Sequence, residues 1–398
     1  MTTPFARRTS RVQPSAIREL LRLGDDPSVI SFGGGYPDPA QFPIAELTSI
    51  FTDVLAGGAR TLQYTASIGL PRLREQIAAR MTRDGTPCTA DDILIIHGGQ
   101  QGLDLTGKLM LDPGDVIATE NPTFLGALLA FNPCEPDYSA VRTDDDGLDP
   151  AHLDEVLTSR RPRAKLIYTV PDFQNPTGVS LSLERRHQLI EVANRNDVIV
   201  LEDAPYRDLR FDGDRLPTLA SLDTEGRVIH VGSFSKILAP GLRIGWMMAP
   251  KQLLDRLALL KLAADTQSST LNMAAVSAYL ERHDIDAQIA RANTAYRRKR
   301  DLTLATLDQV MPAEVSYTRP RGGLFTWLTF PEGFDTGDFM RDVLLPRARV
   351  AYVPGGTFFP VHQEPNHARL SYATLPEETL VQGLRLLADH YLAADRPG

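Results

Sequence analysis

The 398-residue sequence holds only six lysines: Lys108, Lys165, Lys236, Lys251, Lys261 and Lys299. One of them sits among residues that could put its amine to work. In Ser233-Phe234-Ser235-Lys236-Ile237-Leu238-Ala239-Pro240-Gly241-Leu242-Arg243, the lysine stands between an apolar stretch and a Gly/Pro turn. Hydroxyls lie three and one residues before it, and Arg243 seven residues after it. Two hydroxyls and a guanidinium make a cup for a phosphate. An amine placed beside other cations and partly desolvated loses basicity, which suits Schiff-base chemistry.

Three further clusters have the same character. His97-Gly98-Gly99-Gln100-Gln101-Gly102 reads as strand, glycine turn and helix start, where backbone N–H groups form an anion site. It is neither a GxGxxG nor a Walker sequence, and alone it is an ordinary Gly-Gly turn. Pro171-Asp172-Phe173-Gln174-Asn175-Pro176-Thr177-Gly178 is rich in turn formers, but an Asn before Pro is held extended with its amide aimed by a stiff backbone. Val200-Leu201-Glu202-Asp203-Ala204-Pro205-Tyr206 puts an acid at the end of a very apolar strand, where a carboxylate needs a cationic or donor partner. Together the four clusters supply what pyridoxal 5′-phosphate requires: a lysine amine, a carboxylate for the ring nitrogen, donors for the ring oxygen and an anion cradle.

The elements that must position these residues alternate. Short apolar strands at Ile93–His97, Val116–Glu120, Lys165–Val170, Val198–Glu202 and Val228–Val231 are interleaved with helices such as Gln100–Met110 and Leu183–Asn196. Near-continuous apolar strands with helices between them predict an α/β unit whose mostly parallel sheet is covered on both faces. In such sheets the ligand crevice lies at the carboxyl ends of the strands, where the four clusters fall. A short helix is expected at Pro14–Leu23, and a long one at Ile285–Val310 bridges to a smaller α+β part. The expected division is residues 1–60 as an arm and part of the small domain, 61–290 as the large domain, and 291–398 as the rest of the small one. The run Tyr296-Arg297-Arg298-Lys299-Arg300 reads as a solvated helix face.

Composition narrows the classes. Acids outnumber bases 50 to 42, giving a net charge of −8, which argues against a nucleic-acid partner. No apolar run is long enough to suggest a membrane span. Cys88 and Cys134 form neither a CxxC pair nor a disulfide framework, and cytoplasmic thiols are expected. The acid-free opening with Arg7, Arg8 and Arg11 is followed by no apolar segment. It reads as a solvated arm rather than a twin-arginine signal or an Arg-rich transit peptide.

The order and spacing of Asn175-Pro176-Thr177-Gly178, Asp203-Ala204-Pro205-Tyr206, Ser233-Phe234-Ser235-Lys236 and Arg369-Leu370-Ser371-Tyr372 resemble fold-type I pyridoxal-phosphate enzymes of aminotransferase class I/II. RVQPSAIREL, ISFGGGYPDP, LQYTASIGLPRLRE, GGQQGLDL, ENPTFLGALLAF and RPRGGLFTW bring the chain nearest to the 2-aminoadipate/kynurenine aminotransferase subgroup. The resemblance implies a large domain with a mostly parallel seven-stranded sheet and a ping-pong transfer from an L-amino acid to a 2-oxo acid such as 2-oxoglutarate. It implies that Lys236 bonds to the cofactor and shuttles the proton, while Asp203 holds the ring nitrogen. Asn175 and Tyr206 would address the ring oxygen, Phe124 would stack on the ring, and Gly99, Gln100, Ser233, Ser235 and Arg243 would hold the phosphate. Arg369, with Asn175 and Gly35, would receive the substrate α-carboxylate. Tyr64 would reach the partner's cofactor in a homodimer, and Arg18 would meet a distal substrate carboxylate.

Two departures stand out. Phe124 occupies a position where relatives often carry Tyr, and Asp172 precedes Phe173 where a small residue is common, which is expected to alter the pocket. The alternative outcome is a lyase, cyclase or oxidase using the same lysine and aspartate. A transcription regulator with an aminotransferase-like sensor would need a winged-helix domain ahead of a match that already begins at Arg11.

Overall fold

The computed structural model describes residues 5–11, 26–159 and 162–394. The expected helix Pro14–Leu23 and Arg18 lie outside them. The central sheet runs in the order Ile93–Ile96, Gly245–Met248, Val228–Ser233, Ile199–Asp203, Ala164–Thr169, Val116–Asn121, Asp137–Asp144, Gly147–Leu148. The five strands from Val228–Ser233 to Asp137–Asp144 are mutually parallel. Gly245–Met248 is inserted antiparallel between Ile93–Ile96 and Val228–Ser233. The sheet therefore has the expected seven strands plus an eighth of two residues, which turns back on Asp137–Asp144.

Strand chemistry explains the burial. Val116 and Ala118 enter one apolar cluster while Ile117 between them enters another; Ile167 alternates in the same way with Leu166 and Tyr168. Successive strand residues point to opposite faces, so a strand buried on both must be apolar throughout. Helices Pro150–Ser159 and Leu183–Asn196 cover one face through Leu153 and Leu189. Helices Gly99–Met110, Lys251–Asp265 and Thr270–Arg282 cover the other through Leu103, Leu257 and Val276. Asp137–Asp144 escaped the sequence pattern because, near the sheet edge, it alternates exposed and buried positions.

A third cluster, with Val29, Phe32, Trp327, Tyr352, Leu370 and Leu384 among its members, forms around the C-terminal part. There, strands Ser316–Tyr317, Phe325–Thr329, His367–Ser371 and Val353–Pro354 make an antiparallel sheet. The early strand Ile30–Ser31 returns to this part of the chain, pairing parallel with Val350–Ala351 in a separate two-stranded sheet. Helix Ile44–Ala56 instead gives Leu47 and Ile50 to the core of the large sheet. The long helix Ile285–Val310 bridges both cores, with Ile289 in one and Leu307 in the other. Among the described residues no helix is long and apolar enough to cross a membrane.

The basic run on that helix is only partly a solvated face. Arg297 and Arg298 pair at the surface with Asp212 and Glu377. Lys299 is buried, its amine donating to Asp38 and to the Ala373 carbonyl, both at 2.7 Å.

Candidate active site

Three parallel strands end on the same edge of the sheet, and the turns that follow bring the expected residues together. Strand Val228–Ser233 is buried throughout and delivers Ser233, Ser235 and Lys236, while Phe234 packs against Trp246. The Lys236 amine donates to the Gly35 carbonyl at 2.7 Å. Burial, reinforced by the neighbouring Arg369 and Arg243 charges, pulls its pKa down to about 8. An amine of that basicity is available as free base near neutrality.

Strand Ile199–Asp203 ends in Asp203, which accepts a hydrogen bond from the Tyr168 hydroxyl at 3.0 Å. Burial raises the carboxyl to about 6, against the lowering effects of that bond, His230 and Lys236. A buried acid of this kind is stabilised in its charged form by a cation placed in the cavity.

Beyond Ala164–Thr169 the turn carries Asn175, whose amide donates to the Tyr206 hydroxyl at 3.4 Å and whose carbonyl accepts from Arg369 Nη1 at 2.9 Å. Burial pushes the Tyr206 hydroxyl up to about 12, so it stays protonated. Arg369 lies over the Phe325 ring at 4.5 Å and near that of Phe358 at 5.3 Å, and its Nη2 donates to the Gly33 carbonyl at 2.6 Å. Its Nε is buried with no partner among the described residues, and burial lowers its pKa to about 10. Such a guanidinium has spare donors for an anion.

The glycine turn meets the lysine cup. Gly98 has φ +79°, and a Cβ there would come within 2.6 Å of the Arg243 guanidinium. Only glycine lets Arg243 lie against the start of helix Gly99–Met110. Arg243 donates to the His97 carbonyl at 2.9 Å and, among the described residues, pairs with no carboxylate. The Ser233 hydroxyl donates to that of Ser235 at 2.9 Å. Gln100 is fixed by donation to the Gly126 carbonyl at 2.7 Å.

One cavity of about 360 Å³ is bordered by every expected cofactor and substrate residue except Tyr64 and Arg18. Gly35 and Phe124 are included. Among the described residues three cations, Lys236, Arg243 and Arg369, face it against the single carboxylate Asp203. That surplus fits a ligand carrying a phosphate and a carboxylate, with the aspartate free for a ring cation. The donor set therefore fits pyridoxal phosphate, and the helix start supplies backbone N–H groups beside Arg243.

Tyr64 is 79% exposed and does not border its own chain's cavity. Asp172, expected to alter the pocket, does not line it either, because three arginines hold it inside the protein. The sequence reading missed Tyr36, Leu103, Leu129 and Val170 on the cavity wall. Leu103 was within reach of it, since it lies one helical turn beyond Gly99.

Residues 29–387 match the family aminotransferase class I and II. The chain is 38% identical to an aromatic-amino-acid aminotransferase of Thermococcus litoralis, over 97% of this chain and 93% of that one. It is also 38% identical to a 2-aminoadipate transaminase of Thermus thermophilus, over 96% and 95% of the two chains. A solved α-aminoadipate aminotransferase from Thermus thermophilus, in complex with N-(5′-phosphopyridoxyl)-L-leucine, superimposes with a TM-score of 0.90 at 36% identity, covering 98% of this chain and 97% of its own.

Proposed function

The chain belongs to aminotransferase class I and II, a pyridoxal-phosphate-dependent transaminase, and we propose which of its residues perform the transfer and on which substrates. The observation that carries this reading is Lys236: a partly buried amine of lowered basicity in the cavity that also holds Asp203, Arg243 and Arg369. Bound pyridoxal phosphate supplies an aldehyde to which amines add and a ring that accepts the electron pair left at the substrate Cα.

In our reading the phosphate is held by Arg243, the Ser233 and Ser235 hydroxyls and the backbone at Gly99 and Gln100. Phe124 covers the ring. Asp203 keeps the proton on the ring nitrogen through a charged hydrogen bond. Asn175 and Tyr206 donate to the ring oxygen, for which their 3.4 Å contact already brings them side by side. Arg369 takes the substrate α-carboxylate with its planar fork, beside Asn175 and the Gly35 backbone. Lys236 Nζ would act first as base toward the proton on the substrate Cα and then as acid toward the carbon that bound pyridoxal phosphate brings as its aldehyde. Because Arg369 addresses the α-carboxylate that an amino acid and a 2-oxo acid share, the two substrates would use the same site in turn.

For the acceptor we propose 2-oxoglutarate. Arg18, outside the described residues, is assigned to a distal carboxylate on the strength of its sequence position alone. Arg18→Ala is then expected to cost acidic substrates about 1.5–3 kcal/mol in kcat/KM and neutral ones much less; equal losses would contradict that assignment. We further propose a homodimer in which Tyr64 reaches the partner's phosphate. The exposure of Tyr64 and of Leu62, at 79% and 68%, supports it. Mixing inactive Lys236→Ala with Tyr64→Ala protein should regain activity as subunits exchange. The cytoplasm is the proposed compartment, which suits the two unpaired thiols Cys88 and Cys134.

The test is a donor panel of 2-aminoadipate, aromatic and aliphatic L-amino acids assayed with 2-oxoglutarate. Stoichiometric formation of glutamate and the donor's 2-oxo acid is expected. Release of ammonia or carbon dioxide instead would favour the lyase, cyclase or oxidase reading.

A further inference from the structure

Asp172 is fully buried, and three guanidiniums converge on its carboxylate. Arg186 Nη2 lies at 2.9 Å, Arg210 Nη2 at 3.0 Å and Arg207 Nη1 at 3.4 Å. Despite burial, these charges hold the carboxyl below its ordinary range. The three arginines differ in where they come from. Arg186 belongs to the Asn175 side: it also donates to the carbonyls of Leu181 at 3.0 Å and Pro171 at 2.8 Å, bracing the base of the Pro171–Gly178 turn. Arg207 follows Tyr206 directly in sequence, and Arg210 lies four residues after it. Arg210 also stacks on the Phe173 ring at 4.7 Å.

Phe173 leaves no slack. Its backbone is left-handed, with φ +51°. A Cβ at Gly322 or Gly323 would come within 2.4 or 2.6 Å of Phe173 atoms. Asp172 is thus an ionic bolt between two turns, one carrying Asn175 and the other Tyr206, whose side chains meet at 3.4 Å in the cavity.

We propose that Asp172, through Arg207 and Arg210, is a positioning residue that fixes the spacing of Asn175 and Tyr206 and so tunes their contact with the ring oxygen of bound pyridoxal phosphate. This rests on the role proposed above for those two residues. The arginine side is the informative place to cut. Removing Asp172 leaves three crowded buried cations, which is strongly destabilising. Replacing Arg207 and Arg210 leaves Asp172 still paired with Arg186.

The experiment is a mutant cycle on the holoenzyme with Arg207→Gln/Arg210→Gln, Tyr206→Phe and the triple variant. Three quantities are read: the pH midpoint of the bound cofactor's visible absorbance, the affinity of the stripped protein for pyridoxal phosphate, and the thermal midpoint. The other groups facing Tyr206, namely Asn175, Arg369, Asp203 and Lys236, are unchanged in every member.

The arginine variant is expected to move the absorbance midpoint in the same direction as Tyr206→Phe and to weaken cofactor binding about 3- to 10-fold. In the Tyr206→Phe background it should add little, because the geometry it controls is already lost. A purely electrostatic or structural effect would instead add in full and would overturn the proposal. So would a lowered thermal midpoint with absorbance and affinity unchanged. An unmoved titration in Tyr206→Phe itself would overturn both the role of Tyr206 and the proposal. A shift in Tyr206→Phe that the arginine variant fails to reproduce would overturn the proposal alone. If the paired arginine variant does not fold, the single Arg207→Gln and Arg210→Gln variants carry the same cycle with the same expectations.

Discussion

The floor of the cavity and the strap across it are built by opposite means. The floor consists of side chains at the ends of sheet strands, each tied to a neighbour: Asp203 to Tyr168, Ser233 to Ser235, Asn175 to Tyr206 and Arg369. The strap is the segment 33–38, which offers backbone rather than side chains. Its Gly33 and Gly35 carbonyls accept from Arg369 and Lys236. It is pinned at one end, where Asp38 pairs with Lys299 and its N–H donates to the Tyr296 hydroxyl at 2.8 Å. Between these points Tyr36 is about half exposed. In the proposed reading the amine and the α-carboxylate, common to every amino acid, are assigned mainly to the floor, with only the Gly35 backbone of the strap beside the carboxylate. What distinguishes one amino acid from another is assigned to the rest of the strap and the apolar wall of Leu103 and Leu129.

That division can be broken from the floor first. Lys236→Ala is expected to abolish turnover and, after borohydride reduction, to show no covalently held cofactor by mass spectrometry; retained attachment would move the role to another lysine. Asp203→Asn should lower kcat about 10²- to 10³-fold in steady-state assays, as loss of an electrostatic contact of about 3–4 kcal/mol to the reacting system would.

The same residue makes a pH prediction for the cofactor-free protein. Burial raises the Asp203 pKa from 3.8 to about 6, so the folded chain holds this proton more tightly than the unfolded one. Its contribution to stability is then present below the unfolded value and lost as pH rises through about 6. The loss is about 2–3 kcal/mol. Asp203→Asn should therefore stabilise the cofactor-free protein at pH 7 but much less at pH 4, as measured by denaturant unfolding.

Arg369→Ala should raise KM for all amino acids by a similar factor, about 10- to 150-fold, since charged hydrogen bonds are worth about 1.5–3 kcal/mol. Effects confined to one donor would contradict a role at the shared carboxylate. The smallest effect belongs to the strap. Asp38→Asn removes its buried partner for Lys299, which keeps the Ala373 carbonyl. A KM increase of about 3- to 10-fold is expected, with cofactor affinity unchanged. Weaker cofactor binding in this variant would erase the distinction between strap and floor.

The floor was legible in the sequence because its residues sit in short turns directly after apolar strands, where residue type and position carry the signal together. Lys236, Asp203 and Asn175 were all accessible in that way. The antiparallel strand Gly245–Met248 was not, since four residues following Arg243 carry no period of their own. Lys299 was hidden for a different reason. Within a run of four basic residues its type suggested solvent, and only the packing of helix Ile285–Val310 turns it inward to Asp38. Asp172 was marked as unusual, yet its meaning depends on arginines 14 and 38 residues away. Burial that depends on distant partners leaves no local pattern to read.

The most direct test of amino-group transfer is to follow the nitrogen. The holoenzyme is mixed with one equivalent of ¹⁵N-labelled L-amino acid, freed of excess reagent, and then given 2-oxoglutarate. The label should remain with the protein after the first step and appear in glutamate after the second, with one 2-oxo acid released per subunit. Label recovered as free ammonia, or retained on the protein after 2-oxoglutarate is added, would contradict transfer between the two substrates through the Lys236 site.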